Sequence, residues 1–292
     1  MASTWAARKL YRKIGQPQIY SLSMGRNAES LVRSVSNRYS FFSTETPNAL
    51  PERANVVIVG GGIIGTSVAY HLAKLGVEDV VLLERDRLTS GTTWHAAGLM
   101  TTFGSLSSSS MDMRLYTRSL YSDILPKETG LETGFMDIGF IELACDEGRL
   151  HYFRRVAAFN RLCGVEVEEI PPEEILSKFP LLNPDGVLAG FYVEKDGRVN
   201  PTDATMALAK GARQRGVQIL EGVAVTSVET TQSSQSGKPR AVTGVKVRTK
   251  GKESSSVVGA NVVVNCAGMW ARQFGEMSGV TIPNQAAEHY YL

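Results

Sequence analysis

The stretch ANVVIVGGGIIGTSVAYHLAKLGVEDVVLLERD, residues 54–86, decides the fold. Val56 to Val59 make an apolar run of strand length, and three glycines follow at once. Ile63, Ile64, Val68, Leu72 and Leu75 then recur at helical spacing, and a second apolar run, Val80 to Leu83, ends on Glu84. Strand, glycine turn, helix and strand form one βαβ unit, with G-x-G-x-x-G at Gly60, Gly62 and Gly65. Gly60 permits the tight turn out of the strand, Gly62 lets a pyrophosphate approach the backbone, and Gly65 lets helix and strand pack closely. The helix N-terminus turns its free N–H groups toward such a phosphate. Glu84 would accept hydrogen bonds from a ribose diol, and its charge disfavours a 2′-phosphate. The bare glycine pattern is weak, but in this context it points to a dinucleotide. The other reading is a glycine-rich βα turn without a ligand, and the unit alone does not separate NAD from FAD.

The chain has 292 residues, 43% of them hydrophobic and 21% charged, which suits one or two globular α/β domains. No apolar run approaches the roughly 20 residues of a bilayer-spanning helix, so no membrane span is expected. Cys145, Cys163 and Cys266 are far apart and lack metal or redox spacing, as structural thiols in a reducing compartment would; no metal site is expected. The net charge of +2 averages two unlike regions. Residues 1–48 carry seven bases (Arg8, Lys9, Arg12, Lys13, Arg26, Arg33 and Arg38) against Glu29 and Glu45, and that +5 leaves −3 for the rest. No nucleic-acid partner follows from this balance. The basic, Ser-rich leader without an apolar h-region has the composition of a mitochondrial transit peptide, residues 1–43, with Arg38-Tyr39-Ser40 a place for processing. A disordered basic tail is the alternative.

Farther along, VQILEGVAVTSVE (217–229) and AVTGVKVRT (241–249) read as strands joined by a polar hairpin loop. ANVVVNCAGMWARQFGEM (260–277) reads as a strand, a small-residue turn at Asn265 to Gly268 and a helix. The insertion between the two halves holds TGFMDIGFIELACDEGRL and DGVLAGFYVEKDGRVNP, read as strands around a helix from about Arg149 to Leu162 and the acidic EEIPPEEILSKF. DGRVNPTDATMALAKGARQRG (196–216) gives a further helix, with Asp203 as its cap and Gly216 as its stop. SLSSSS (105–110) reads as a flexible loop near the cofactor.

VVIVGGGIIG, LLERDRLTSGTTWHAAGL and VVNCAGMWA, in that order and spacing, resemble the mitochondrial sarcosine and dimethylglycine dehydrogenases, flavoproteins of the D-amino-acid-oxidase-like superfamily. The resemblance runs from about Ala54 to the last residue. It implies an α/β fold in which a Rossmann-like FAD-binding domain (54–130 and 196–278) is interspersed with a mainly antiparallel substrate domain (131–195, resuming at 279–292). It also implies that the chain is an N-terminal fragment, lacking a later flavin-contacting segment and a tetrahydrofolate-binding C-terminal region. In that family the histidine of the TWHAAG loop, here His95, is bonded to the 8α-methyl of FAD; without the resemblance His95 reads as an ordinary loop histidine. The family pattern places flavin contacts at Gly60, Gly62, Ile63, Ile64 and Gly65, at Glu84 and Arg85, along Gly91, Thr92, Thr93, Trp94, His95, Ala96, Ala97, Gly98 and Leu99, and at Val225 and Trp270. Trp94 and Trp270 have a second reading as core aromatics.

The reaction implied is oxidation of an N-methyl amino acid at its C–N bond in the mitochondrial matrix, with electron-transfer flavoprotein as the acceptor. No general base is assigned. Glu288, His289 and Tyr290 in AAEHYYL are candidates near the substrate, although a histidine is common in the family where Glu288 falls; the plain reading of this trio is the start of a strand. A non-catalytic relative, the pyruvate dehydrogenase phosphatase regulatory subunit, resembles the same family but lacks the loop histidine. RLTSGTTWH leans toward sarcosine dehydrogenase; the end of the chain does not.

Overall fold

The computed structural model describes residues 49–231 and 241–290. The basic leader, with the expected transit peptide, lies outside them. Strand β1 (Arg53–Val59), helix α1 (Ile63–Lys74) and strand β2 (Val80–Leu83) realise the opening βαβ unit. α1 ends where the sequence stops supporting it: Gly76 takes φ +83°, its N–H reaches Ala73 O, and Val77 N–H reaches Leu72 O. This Schellman arrangement satisfies the last carbonyls, at a residue without a Cβ to oppose the left-handed turn.

A run of irregular and short elements follows: β3 (Leu99–Met100), α2 (Ser108–Ser119), a π turn at Leu120–Ile124 and α3 (Leu125–Thr129). The serine run expected as a loop instead starts α2. Ser107 caps it by accepting from Ser110 N–H at 3.4 Å, and Met111 anchors it in the core. Serine is as good at an N-cap as in a loop because its hydroxyl substitutes for a missing backbone acceptor.

The insertion folds as β4 (Phe140–Ala144), α4 (Glu147–Leu162), β5 (Glu168–Ile170), α5 (Pro172–Lys178), β6 (Ala189–Val193) and β7 (Gly197–Arg198). β4, β6 and β5 form an antiparallel sheet with β6 central. A triad of rings, Phe103, Phe153 and Phe191, packs with centroids 5.4–5.7 Å apart among buried residues of α4 and the sheet. β7 pairs with β3 in a separate ribbon.

The chain then returns through α6 (Pro201–Arg213), β8 (Gln218–Leu220), β9 (Val223–Thr230), β10 (Val242–Thr249), β11 (Ser255–Asn265) and α7 (Ala271–Glu276). Asp203 is not the cap of α6: Asn200 is, its Oδ1 accepting from Thr202 N–H (3.0 Å) and Asp203 N–H (3.3 Å). Pro201 at the first helical position fixes the start two residues before Asp203, since a proline there forfeits no helical hydrogen bond. Gly216 is the stop, with φ +89° and its N–H on Arg213 O.

The main sheet runs β8-β2-β1-β11-β10-β9. β8, β2, β1 and β11 are parallel neighbours, while β9, β10 and the first half of β11 form an antiparallel meander. β11 changes partner at Gly259, which pairs with both Gly244 and Arg53. Strand alternation sends Ile58 and Leu82 to one face, against Tyr70, Leu125 and Leu208 under α1, α3 and α6. Val57, Val59, Val81 and Leu83 go to the other, against Val245, Val247 and Val258 of the meander. Burial on both faces explains why β1 and β2 read as unbroken apolar runs, each such side chain contributing roughly 1.5–3 kcal/mol. The result is a mixed α/β fold whose parallel strands end together at one edge. No helix among the described residues is long and apolar enough to cross a membrane.

Candidate functional site

At the carboxyl ends of β1, β2 and β11 the structure opens a cleft of about 310 Å³, the place where open parallel sheets hold ligands. Its floor is the glycine turn. Gly60 has φ +114°, and a Cβ added there would lie 2.2 Å from Cys266 O; one at Gly65 would lie 1.9 Å from Gly60 O. Both glycines are therefore demanded by backbone packing within the protein. Gly62 differs: among the described residues, Thr93 Oγ1 at 3.0 Å is the one atom that an added Cβ would meet within 4 Å. Its φ and ψ (−79°, −177°) suit any residue, so what Gly62 preserves is open space over the N-terminus of α1.

Glu84 closes one end. Its Oε2 accepts from Gly61 N–H at 2.6 Å and its Oε1 from Asp86 N–H at 2.9 Å. A carboxylate offers about four acceptor sites, so two bonds fix its orientation and leave capacity for a diol. Arg85 extends across the mouth, its guanidinium carbon 3.8 Å from the centroid of the Trp270 ring. Asn265 shapes the facing turn by donating to Ala271 O (2.8 Å) and accepting from Ala267 N–H (3.2 Å). Cys266 lies in this turn, where burial pushes its thiol pKa up and makes it a poor nucleophile at neutral pH. All three cysteines are free thiols.

The walls include Gly60, Gly62, Ile63, Ile64, Glu84, Arg85, Gly91, Thr92, Thr93, Val225 and Trp270, all expected from sequence. Gly65 lies behind the turn as a packing residue. Thr93 is buried, and its hydroxyl accepts the first helical N–H, that of Ile63, at 3.0 Å, so the 91–99 loop caps α1 from outside the helix. Trp94, His95, Ala96, Ala97, Gly98 and Leu99 continue beyond the cleft walls. A single 3₁₀ turn, Thr93–His95, presents the histidine at the surface, with Nδ1 3.2 Å from Gly91 O and its ring 3.7 Å from that of Trp94. Neither tryptophan is a core residue: Trp94 is 57% exposed and Trp270 38%. Glu288, His289 and Tyr290 are exposed and form no strand; Tyr290 donates to Glu288.

Among the cleft residues that sequence reasoning missed are Ala224, Gln273, Phe274 and Met277. The helical period of 271–277 shows one apolar face, but nothing local says that the face meets a ligand space. Among the described residues no cluster of side chains could hold a metal ion.

A family model described as FAD dependent oxidoreductase matches residues 55–292. The chain belongs to this family of FAD-dependent oxidoreductases. Within it, the chain is 38% identical to mitochondrial sarcosine dehydrogenase of Mus musculus over 245 residues, 83% of this chain and 26% of that protein. It is 39% identical to mitochondrial dimethylglycine dehydrogenase of Rattus norvegicus over 284 residues, 96% of this chain and 31% of that one. It is also 38% identical to the mitochondrial pyruvate dehydrogenase phosphatase regulatory subunit of Mus musculus, over 97% of this chain and 30% of that subunit. The chain thus spans about a quarter to a third of the length of these relatives. Among solved structures, L-proline dehydrogenase from P. horikoshii superposes with a TM-score of 0.69 at 27% identity, covering 79% of this chain and 57% of that one. The family is FAD-dependent, and the cleft stands at the carboxyl edge of a parallel sheet, where such sheets hold ligands.

Proposed function

We propose that this chain is the FAD-binding part of an N-methyl amino acid dehydrogenase acting on sarcosine or dimethylglycine. The observation that carries the reading is the open space above Gly62 between the helix N-terminus and Glu84. That space fits a pyrophosphate, with Glu84 at the adenosine ribose. The N-terminus of α1 would hold the phosphates through its N–H groups and dipole. Glu84 would accept from the ribose hydroxyls and repel a 2′-phosphate, while Val225, Arg85 and Trp270 would flank the adenosine end. His95, on its exposed turn among small residues, would carry the flavin through an 8α-histidyl bond. The bound flavin supplies a hydride acceptor for the methyl carbon of the amine. The chain's task is to keep that acceptor in register and dry.

The two sheets support a division into a cofactor domain, residues 54–130 and 196–278, and a substrate domain, residues 131–195 with 279–292 as its resumption. On the same reading the protein works in the mitochondrial matrix, residues 1–43 being the transit peptide. Its electrons leave to electron-transfer flavoprotein. Acid denaturation of the complete gene product carrying this sequence tests the reading. The wild type should retain yellow flavin on the precipitated chain, with an FAD-sized mass on the peptide containing His95. His95→Ala should bind FAD but release it into acid, with turnover reduced rather than abolished. Recovery of all wild-type flavin in the supernatant overturns the covalent assignment. A second reading, a non-catalytic regulatory role, draws on the 97% coverage by the phosphatase regulatory subunit; a chain that retains FAD yet oxidises no N-methyl amino acid would favour it.

A further inference from the structure

The turn that carries His95 is exposed, yet the chain just beyond it leads to a buried carboxylate that accepts three hydrogen bonds. Asp196 is fully buried. Its Oδ2 accepts from Thr102 N–H at 2.6 Å, and its Oδ1 accepts from Thr102 Oγ1 at 2.8 Å and from Arg118 Nη1 at 3.2 Å. A buried carboxylate is costly unless it is paired and hydrogen-bonded, and a charge satisfied mainly by one residue fixes that residue firmly. Two of these three bonds, the two shorter, go to Thr102. Arg114, one turn before Arg118 on α2, binds Thr101 O and Phe103 O, both at 2.9 Å. Just before Thr102, Leu99 and Met100 pair with Arg198 and Gly197, and Val199 N–H donates to Gly98 O at 2.8 Å. The loop's other end is held by Thr93 on Ile63 N–H at 3.0 Å. Residues 94–97, exposed as they are, hang between these two anchors.

We infer that Asp196 is a positioning residue for His95: by gripping Thr102, two residues past Met100, it locks β3 onto β7, and that ribbon is the far anchor that sets the place of the imidazole relative to the cofactor cleft. This rests on the reading of His95 as the flavin-bearing residue. In that attachment the imidazole nitrogen forms the new N–C bond to the 8α-carbon. The imidazole and the methyl carbon each give up one hydrogen, and the electron pair enters the flavin. Dioxygen then takes both electrons and both protons and leaves as hydrogen peroxide. Attachment demands a placed nitrogen, whereas non-covalent FAD binding draws on Gly60 to Gly65 and Glu84. The two should therefore separate when the anchor is cut.

Asp196→Asn places an amide where two donors of Thr102 now meet acceptors. Thr102→Val removes one bond and keeps the carboxylate paired with Arg118, so it serves if Asp196→Asn does not fold. Two readouts in the complete gene product decide the matter. Hydrogen exchange of the apoprotein should rise at least tenfold across residues 94–101 in either variant and stay unchanged across 60–66. At saturating FAD, the rate of forming acid-stable flavin should fall about tenfold or more, with FAD affinity held within about twofold and Thr102→Ser restoring the wild-type rate. Unaltered exchange in the loop, or an attachment rate that falls only in proportion to FAD occupancy, overturns the inference. If the wild type forms no acid-stable flavin, the covalent reading fails by itself, and exchange across 94–101 still decides whether Asp196 places the loop.

Discussion

Around Gly60 and Gly65 backbone is pressed against backbone, so that a single added methyl would fall within 2.2 Å of a carbonyl oxygen. Around His95 the side chains are exposed and the turn is one 3₁₀ turn long, defined by what grips it at either end. One residue joins the two regions: Thr93, whose hydroxyl caps α1 while its backbone begins the histidine turn. Steric contact positions the first region and hydrogen-bonded anchors the second. Positions fixed by contact tolerate no added atom, whereas positions fixed by anchors tolerate local change until an anchor is lost.

The largest effect that could break this contrast comes from Gly65→Ala. Its Cβ would overlap Gly60 O, an atom that cannot move without unseating β1, so loss of folding is expected, or a fall in the thermal midpoint of more than about 10 °C. A midpoint within about 2 °C of wild type would show that the turn has slack. Gly62→Val should do the reverse. Its backbone is ordinary and an added Cβ would press on a single side-chain atom, Thr93 Oγ1 at 3.0 Å, so the midpoint should move by no more than a few degrees while FAD affinity, read by fluorescence titration, falls about 100-fold or more. Equal losses in stability and binding would erase the distinction between the packing glycines and the ligand glycine.

Thr93→Val probes the joint. It leaves Ile63 N–H without its acceptor, a loss comparable to an N-cap deletion of about 1 kcal/mol, or a few degrees. It should loosen the histidine turn more than the glycine turn in hydrogen exchange, and Thr93→Ser should restore both. The smallest effect concerns the brace beneath α1, where Glu128 accepts from Tyr70 (2.6 Å) and Arg215 (2.8 Å) and faces Lys74. Burial opposes ionisation of Glu128, but hydrogen bonds from Tyr70 and Arg215 and the charges of Arg215 and Lys74 outweigh it and hold its carboxyl below the usual range. A lowered folded-state pKa contributes stability above the unfolded value, and that contribution is lost as pH falls through the carboxylate range and below. Midpoints measured on acidification should therefore fall with a slightly steeper slope in wild type than in Glu128→Gln, solvent screening keeping the difference small. Identical slopes would remove this brace from the glycine-turn side.

Residues 54–86 by themselves determined the βαβ unit, because a strand buried on both faces, a glycine turn and an amphipathic helix leave distinct local marks: an apolar run, Gly60 to Gly65, and the spacing from Ile63 to Leu75. Glu84 and Trp270, singled out by their place in motifs, both line the cleft. Local sequence misplaced the serine run and the α6 cap, because serine, asparagine and aspartate serve caps and loops with the same hydrogen bond. Met111 in the core and Pro201 at the first helical position settle which role each residue takes. Only the tertiary structure decided that Gly65 answers to Gly60 O while Gly62 answers to open space, and that Phe274 and Met277 finish the cleft. It alone decided that buried Asp196 holds Thr102, ninety-four positions away. Periodicity records which face of an element is buried; which distant atom meets that face depends on how the sheet closes, and no local pattern carries that distance.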